Sequence, residues 1–447
     1  MIESLEVFAA KLSAFLWGPP LLILLVGTHL FLTVRLRLIQ RYLLPALRIT
    51  FSRSRDGEGD ISHFAALTTA LASTVGAGNI LGVAVAIGAG GPGAIFWMWL
   101  TGVFGMATKF AEAILAVQYR EKNANGQMSG GPMYVLKNGL GLGWLGVLFA
   151  VFTAIAAFGI GNMFQGKAVA EAVVGLLPQM DPTWVKAGVG FVMAAAVAAV
   201  VFGGIRSISN FCNFLVPFMV VAYVAACLIV IVMHLPELPA ALGVIFKDAF
   251  SGAAVAGGGL GAVIQAGVRR GLFSNESGLG SAPIAAAAAK TANPVQQALV
   301  SMTGTFWDTV VVCALTGLAL VVTGAHSSGL EGMAMTQYAF GTIPLIGKPL
   351  LSLGLITFVF STMLGWSYYG EKAVEYLGGV AFIPAYRVLW VVVVYIGATI
   401  PSGLVIDFSD SANALMAIPN LISLLFLSGV VAKITNRDLA NPKTFHV

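Results

Sequence analysis

The sequence predicts an all-α integral membrane protein with about eleven transmembrane helices. Of its 447 residues, 58% are apolar and only 10% are charged, whereas soluble domains carry about 25% charged residues. Long apolar stretches recur along the whole chain, and most basic residues lie in the short segments between them. Soluble enzymes and nucleic-acid-binding proteins are therefore excluded as main interpretations, although the net charge is +5.

Eleven apolar stretches are long enough for a spanning helix, which needs about 20 residues to cross the hydrocarbon core. The fourth is too long for one straight span, so we expect it to be tilted or extended. The stretches cover residues 14–34, 63–88, 94–118, 144–177, 184–203, 211–234, 250–268, 295–323, 347–369, 380–400 and 411–432.

The basic residues test this count, because Lys and Arg are enriched in cytoplasmic loops. With the N-terminus outside and the C-terminus in the cytoplasm, 19 of the 24 lysines and arginines fall on the cytoplasmic side. A miscounted helix would invert every later loop and blur this asymmetry. Residues 35–55 mix Arg with Leu, Ile, Tyr and Phe, which is typical of a segment lying on the membrane surface.

Two glycine-rich stretches predict interrupted helices. They are STVGAGN at 73–79, in the second span, and GGGLG at 257–261, in the seventh. Glycine weakens a helix by about 1 kcal/mol per residue relative to alanine, and unwound backbone at membrane depth must be buried in protein or line a polar cavity. Interrupted helices at matching repeat positions indicate a transporter site, whereas close helix packing is the alternative reason for the glycines.

Five spans begin at each interruption, and the two sets run in opposite directions through the membrane. This arrangement predicts a five-plus-five inverted repeat preceded by one extra helix. The expected divisions are an extra N-terminal helix at 1–34, a basic cytoplasmic interfacial linker at 35–60, a first repeat at 61–235, a second, inverted repeat at 236–433 and a cytoplasmic tail at 434–447.

Long motifs along most of the chain resemble the alanine or glycine:cation symporter family. They are ALASTVGAGNI (70–80), GGPGAIFWMW (90–99), FGMATKFAEAILAVQYR (104–120), GGPMYVL (130–136), AAFGIGNMFQ (156–165), FSNESGLGSAPIAAAAA (273–289) and GTFWDTVVVCALTGL (304–318). The resemblance implies the leucine-transporter-like fold and sodium-coupled symport of alanine or glycine into the cell by alternating access. It also implies a multi-pass protein of the bacterial or archaeal plasma membrane. The expected partners are a small neutral amino acid, the sodium ion and the lipid bilayer, with no cofactor other than sodium and no nucleic acid.

The substrate implied by this resemblance is a small zwitterionic amino acid. A carboxylate is well held by free N–H groups at the start of a half-helix, and Gly76, Ala77 and Gly78 offer such groups. We expect the amine to meet oxygen atoms of Thr74 and of the backbone at Gly257, Gly258 and Gly259.

Sodium is a hard cation that prefers oxygen ligands, by analogy with other hard ions. The family fold places a hydroxyl pair of its eighth core helix opposite carbonyls beside the first interruption. In this chain these are Ser361 and Thr362, facing the carbonyls of Ala72 and Val75. The alternative is that both hydroxyls bond to the preceding turn of their own helix, as Ser and Thr often do.

Three further side chains are candidates for the substrate site. Asn79 must have a buried partner or a second sodium, since an unpaired amide is costly in an apolar span. Gln165 either contacts the substrate or joins two helices. Trp366 lies four residues after Thr362 on the same helical face, where it either limits substrate size or anchors the helix at the lipid interface.

Other ionisable residues near the spans have local partners in sequence, which favours structural pairing. Lys109 and Glu112, Lys167 and Glu171, and Glu371 and Lys372 form these expected pairs. Asp308 has no close basic neighbour in sequence, so we expect it to accept a hydrogen bond from a hydroxyl or an amide; a role in coupling or gating is the alternative.

Two other functional classes lack their signatures. The sequence contains no HExxH, no GxGD, no GxSG within a span and no GxxxxGK[ST], so neither an embedded enzyme nor an ATP-driven pump is expected. A single pseudo-symmetric chain with one central site also argues against a channel. Proton coupling in place of sodium stays open as the alternative, and the sequence does not indicate an oligomeric state.

Overall fold

The structure is a computed structural model that describes residues 2–51, 57–251, 261–400, 402–441 and 444. This part of the chain is almost entirely helical. In chain order its α-helices are α1 Ile2–Leu16, α2 Pro19–Arg35, α3 Leu43–Thr50, α4 His63–Thr74, α5 Leu81–Gly90, α6 Ala94–Gln118, α7 Pro132–Tyr134, α8 Gly143–Phe158, α9 Phe164–Leu176, α10 Pro182–Val201, α11 Gly204–Met233, α12 Leu238–Ala249, α13 Ala262–Asn275, α14 Ala282–Ala287, α15 Pro294–Thr305, α16 Ala314–Val322, α17 Gly332–Phe340, α18 Gly347–Gly378, α19 Ile383–Thr399, α20 Ser402–Phe426 and α21 Ser428–Leu439.

Seven helices of the described residues are long and apolar enough to cross a membrane. Two further pairs pass the same test only as bent pairs, α1 with α2 at 43° and α20 with α21 at 59°. The first bend follows from Gly18, Pro19 and Pro20, because proline lacks an N–H and is best tolerated in the first turn of a helix. The seven are Ala94–Gln118, Gly143–Leu176, Pro182–Val201, Gly204–Met233, Pro294–Val322, Gly347–Gly378 and Val380–Thr399.

Three stretches within the helical regions have the wider π geometry. They are Val135–Gly139, Gly159–Met163, which joins α8 to α9, and Phe306–Cys313, which joins α15 to α16. Such π-turns are rare and are frequently found at functional sites. The second and third of these stretches border the site described below.

Helix α6 lies at the centre of the molecule and packs against α2, α13 and α15. It is buried continuously from Gly105 to Val117. The span Val380–Thr399, which contains α19, is by contrast only 22% buried over its most apolar window, as expected for a helix that faces lipid. The only strands among the described residues are β1 Glu121–Lys122 and β2 Met128–Ser129, which form a small antiparallel hairpin after α6.

One boundary differs clearly from the boundary that the sequence predicts. The seventh apolar stretch was expected to end at 268, but α13 continues to Asn275. Arg269 and Arg270 therefore lie within a helix rather than in a cytoplasmic loop, and both pair with the buried Asp410 of α20. These two arginines therefore contribute to helix packing, and they are not evidence for the orientation of the chain in the membrane.

Candidate functional site

The first predicted interruption is present between α4 and α5. Val75 and Gly76 are extended, and Ala77–Asn79 form one turn of 3₁₀-helix before α5 begins. A side chain at Gly76 would collide with the Thr362 hydroxyl and would crowd the amide of Gln165. Glycine is required here because two other helices approach the backbone closely.

Two side chains accept hydrogen bonds from N–H groups that this interruption leaves without a helical partner. The Gly76 N–H donates to Asn79 Oδ1 at 2.8 Å, and the Ala77 N–H donates to Gln165 Oε1 at 3.0 Å. The Gln165 amide in turn donates to the Ile160 carbonyl, in the π-turn before α9, at 3.0 Å. The Asn79 and Gln165 side chains therefore accept hydrogen bonds from two of the three N–H groups that were expected to hold a carboxylate.

Of the expected sodium ligands, the structure brings Thr362 and the Val75 carbonyl close together. Thr362 Oγ1 lies 3.3 Å from the Val75 carbonyl oxygen, across from α4. Both Thr362 and Ser361 also donate to the Phe358 carbonyl at 2.9 Å, so the bonds to the preceding turn are present as well. Ala72 is fully buried on α4.

Asn79 connects the first interruption to the π-turn at Phe306–Cys313. Its Nδ2 donates to the backbone carbonyl of Asp308 at 3.1 Å and to Asp308 Oδ1 at 2.8 Å. Ser274 and Thr309 donate their hydroxyls to the same fully buried carboxylate, at 2.9 and 2.7 Å from Oδ2. The partner of Asn79 is thus Asp308, whose expected hydroxyl and amide donors are present.

A second interruption separates α13 from α14. Glu276, Gly278 and Gly280 all have positive φ, at 57°, 88° and 87°, which is a conformation that favours glycine. The Gly278 and Gly280 N–H groups donate to Glu112 Oε1 at 3.1 and 3.2 Å, and the Asn420 amide donates to the same oxygen at 2.7 Å. The unwound backbone is thereby satisfied inside the protein, as membrane depth requires.

This position was not the one that the sequence predicted. Gly257, Gly258 and Gly259 lie outside the described residues, and the interruption that the structure describes comes about twenty residues later. The motif at 273–289 contained the signal, because two alternate glycines precede Pro283, a residue that starts helices. Gly78 lies against Phe273 and Ser274 at the end of α13, so the two interruptions are neighbours.

Trp366 lies beside the second interruption and not at the lipid interface. It is fully buried, and its Nε1 donates to Glu276 Oε1 at 2.8 Å. A side chain at Gly161, in the π-turn between α8 and α9, would collide with the indole. Lipid anchoring by Trp366 is therefore excluded, and Glu276 is a residue of the candidate site that the sequence analysis did not name.

Thr74 and Lys109 line a separate, small cavity of about 10 Å³, beside Ser301, with room for about one water. The Thr74 hydroxyl bonds to its own helix, at the Ala70 carbonyl. Lys109 Nζ is buried and has no hydrogen-bond partner among the described residues. The expected Lys109–Glu112 pair was wrong, because Glu112 is directed to the second interruption instead.

The other expected pairs are partly present. Lys167 Nζ and Glu171 Oε1 are 3.7 Å apart. Glu371 pairs with Arg387 at 2.7 Å rather than with its sequence neighbour, and Lys372 pairs with Glu375 at 2.9 Å. Adjacent residues on a helix point in different directions, which is why the Glu371–Lys372 pair does not form.

Comparison with known proteins gives a family and a fold. A model of the sodium:alanine symporter family matches residues 2–444. The sodium/alanine symporter AgcS of Methanococcus maripaludis is 52% identical over 434 residues, which are 95% of this chain and 95% of that protein. A Bacillus subtilis protein named probable sodium/glutamine symporter GlnT is 36% identical over 96% of this chain and 90% of its own length. The crystal structure of MhsT in complex with L-phenylalanine has a TM-score of 0.60 at 16% identity and covers 86% of this chain and 99% of that one. This last likeness supports the leucine-transporter-like fold.

Proposed function

Because the chain belongs to the sodium:alanine symporter family, we propose that it carries alanine and glycine into the cell together with sodium, by alternating access. The observation that carries this proposal is the contact between two interrupted helices, where Gly78 packs against Ser274. Counting each bent pair and each interrupted helix as one span gives eleven spans, consistent with one extra helix before a five-plus-five inverted repeat. Interrupted helices at corresponding repeat positions are the usual location of a transporter site.

The substrate carboxylate is proposed to bind the N–H groups of Gly76, Ala77 and Gly78. In support, the groups on Gly76 and Ala77 point to the side-chain oxygens of Asn79 and Gln165. A carboxylate offers the same N–H groups a charged acceptor, and charge-assisted hydrogen bonds are roughly twice as strong as neutral ones. Asn79 and Gln165 would then turn their amides toward the substrate.

The substrate amine is proposed to bind at the second interrupted helix. Glu276 supports this assignment, because its carboxylate lies next to Trp366 within the protein interior. The sequence also suggested the Thr74 hydroxyl, which bonds to its own helix in this structure, and the carbonyls of Gly257, Gly258 and Gly259, which lie outside the described residues.

Sodium is proposed to bind between α4 and α18, at the carbonyls of Ala72 and Val75 and the hydroxyls of Ser361 and Thr362. The Thr362–Val75 approach of 3.3 Å supports this site. An ion there would link the end of α4 to α18, so sodium would hold the first interruption in the shape that binds the substrate.

Uptake by purified protein in liposomes tests the function. An inward sodium gradient should drive accumulation of labelled alanine, whereas a proton gradient of equal size without sodium should not. Labelled alanine should also enter by counterflow against unlabelled internal alanine, which a channel would not support. Accumulation driven by protons alone would replace sodium with a proton as the coupling ion and would direct attention to Lys109.

A further inference from the structure

Arg120 lies immediately after α6 and binds four backbone carbonyl oxygens. Its Nη1 donates to the carbonyls of Ala287 at 2.8 Å and Ala289 at 2.7 Å. Its Nη2 donates to those of Glu58 at 2.7 Å and Thr291 at 3.1 Å. One guanidinium thus holds two chain segments that are more than 220 residues apart in sequence, which suits its planar fork of donors.

The same two segments also pair with each other through their backbones. Glu58 and Thr291 form an antiparallel bridge, and Ile61 and Ala289 form a parallel one. The Lys290 N–H donates to the Ile61 carbonyl at 2.7 Å. Residues 57–61, 287–291 and Arg120 are called the Arg120 clamp below.

The Arg120 clamp joins the ends of the two interrupted helices. Residues 57–61 lead directly into α4, which ends at the first interruption, and residues 287–291 follow α14, which begins at the second. Helix α4 has 12 residues, so the clamp lies about 18 Å along the helix from the proposed substrate site. The clamp makes no contact with that site. It only fixes the positions of these two helix segments relative to each other.

The backbones in the clamp approach too closely for side chains. Gly57 has φ of 97° and Gly59 has φ of 156°, and a side chain at either would collide with the backbone of Lys290 or Thr291. A pair of segments this close leaves no passage between them. The end of the molecule that carries Arg120 is the one that the basic residues predict to be cytoplasmic.

We propose that Arg120 is a positioning residue that keeps the cytoplasmic side of the transport path closed, and that the clamp must separate before substrate leaves into the cell. The proposal rests on the transport function proposed above. When the clamp separates, the guanidinium loses its hydrogen bonds to four carbonyl oxygens, and the two backbone segments lose the bridges between them. Arg120 therefore sets the fraction of molecules that are open toward the cytoplasm.

Cys313 is a natural reporter of that opening. It is fully buried beside Asn79 and Ser274, at 3.3 Å from each. In a background in which the buried Cys212 and Cys227 are replaced by alanine, a membrane-impermeant thiol reagent applied from the cytoplasmic face reaches Cys313 only through an open clamp. Arg120→Ala should raise the modification rate from that face by about tenfold or more, since one charge-assisted hydrogen bond is worth about that factor.

Two comparisons separate this effect from general damage. Lys137→Ala removes a cation that pairs with Glu121 on the exposed surface of the same end, and it should leave the rate unchanged. Arg120→Lys keeps the charge but offers fewer donors, so it should fall between the natural protein and Arg120→Ala. A rate for Arg120→Ala equal to that of the natural protein would overturn the proposal.

A crosslink tests the clamp without weakening it. Glu58→Cys with Thr291→Cys places two thiols on a bridged antiparallel pair, where Cα atoms are about 4.5–5.5 Å apart, within the range for a disulfide. Oxidation should stop alanine uptake and cytoplasmic modification of Cys313, and reduction should restore both. Unimpaired uptake by the crosslinked protein would refute the proposed role of the clamp.

Absence of sodium-driven uptake in the natural protein would instead refute the proposed function. The two outcomes are distinguishable because Cys313 accessibility can be measured without any substrate.

Discussion

At the scale of single residues, Thr362 tests the sodium site. Thr362→Ala removes the hydroxyl that lies 3.3 Å from the Val75 carbonyl, and the loss of a buried polar ligand costs about 1–3 kcal/mol. The half-saturation concentration of sodium for alanine uptake should therefore rise at least about fivefold. Thr357→Ala is the matched control, since that hydroxyl bonds only to its own helix on the outer side of α18. Equal sodium titrations for both variants would remove Thr362 from the site.

Trp366 tests substrate size at the same scale. Trp366→Ala opens space beside Glu276 and Gly161, so leucine or valine should begin to compete with labelled alanine while alanine itself binds more weakly. In the natural protein leucine should compete poorly, because added methylenes in a packed site cost about 1–3 kcal/mol. Trp366→Phe preserves most of the volume and removes only the N–H, and it should keep leucine out. Strong leucine competition in the natural protein would contradict the assignment.

The individual hydrogen bonds were the least predictable part of the site. Asn79 and Asp308 are 229 residues apart, and no local pattern could pair them. Glu112 has a basic residue three positions earlier, which favoured a local ion pair, yet its carboxylate binds Gly278 and Gly280. At membrane depth the unpaired N–H groups of an interrupted helix need an acceptor inside the protein, and sequence reasoning had not located that interruption.

At the scale of elements, the two glycines of the first interruption differ in how much space a side chain would have. A side chain at Gly76 would collide with Thr362, whereas one at Gly78 would make ordinary contacts of about 3.7 Å with Phe273 and Ser274. Gly76→Ala should therefore abolish sodium-dependent alanine binding, and Gly78→Ala should retain it with reduced affinity. Gly88→Ala, on the exposed end of α5 with nothing within 4 Å, is the control. Scintillation proximity binding on purified protein measures all three, and normal binding by Gly76→Ala would place the carboxylate elsewhere.

The two interruptions were not equally predictable from the sequence. The first was identified because STVGAGN places glycines inside an otherwise continuous apolar span. The second was assigned to the densest glycine run, of which Gly257, Gly258 and Gly259 lie outside the described residues. The structure describes an interruption at Gly278 and Gly280, where a carboxylate accepts from their N–H groups. Glycine density indicates how easily a helix can break, whereas the carboxylate partner of Gly278 and Gly280 comes from Glu112, 166 residues away from Gly278, which no local pattern shows.

At the scale of the whole molecule, the distribution of charge predicts an external N-terminus and a cytoplasmic C-terminus. A protease site added before Met1 should be cleaved from outside intact cells, and the same site added after Val447 should be cleaved only in inverted vesicles. The prediction rests on the loop residues, since Arg269 and Arg270 pair with Asp410 inside the protein. Cleavage of the C-terminal site from outside would reverse the topology and would place the Arg120 clamp on the opposite face.

The π-turn at Phe306–Cys313 has a consequence for how this chain tolerates changes in length. An α-helix advances about 100° per residue, so removal of one residue from this wider turn lets the helix continue while it rotates Asp308 away from Asn79. Such a deletion leaves a helix that still inserts but has lost its link to the first interruption. Substitution scanning keeps every position in place and cannot reveal this dependence. The number of residues between α15 and α16 therefore constrains the site in addition to the identity of those residues.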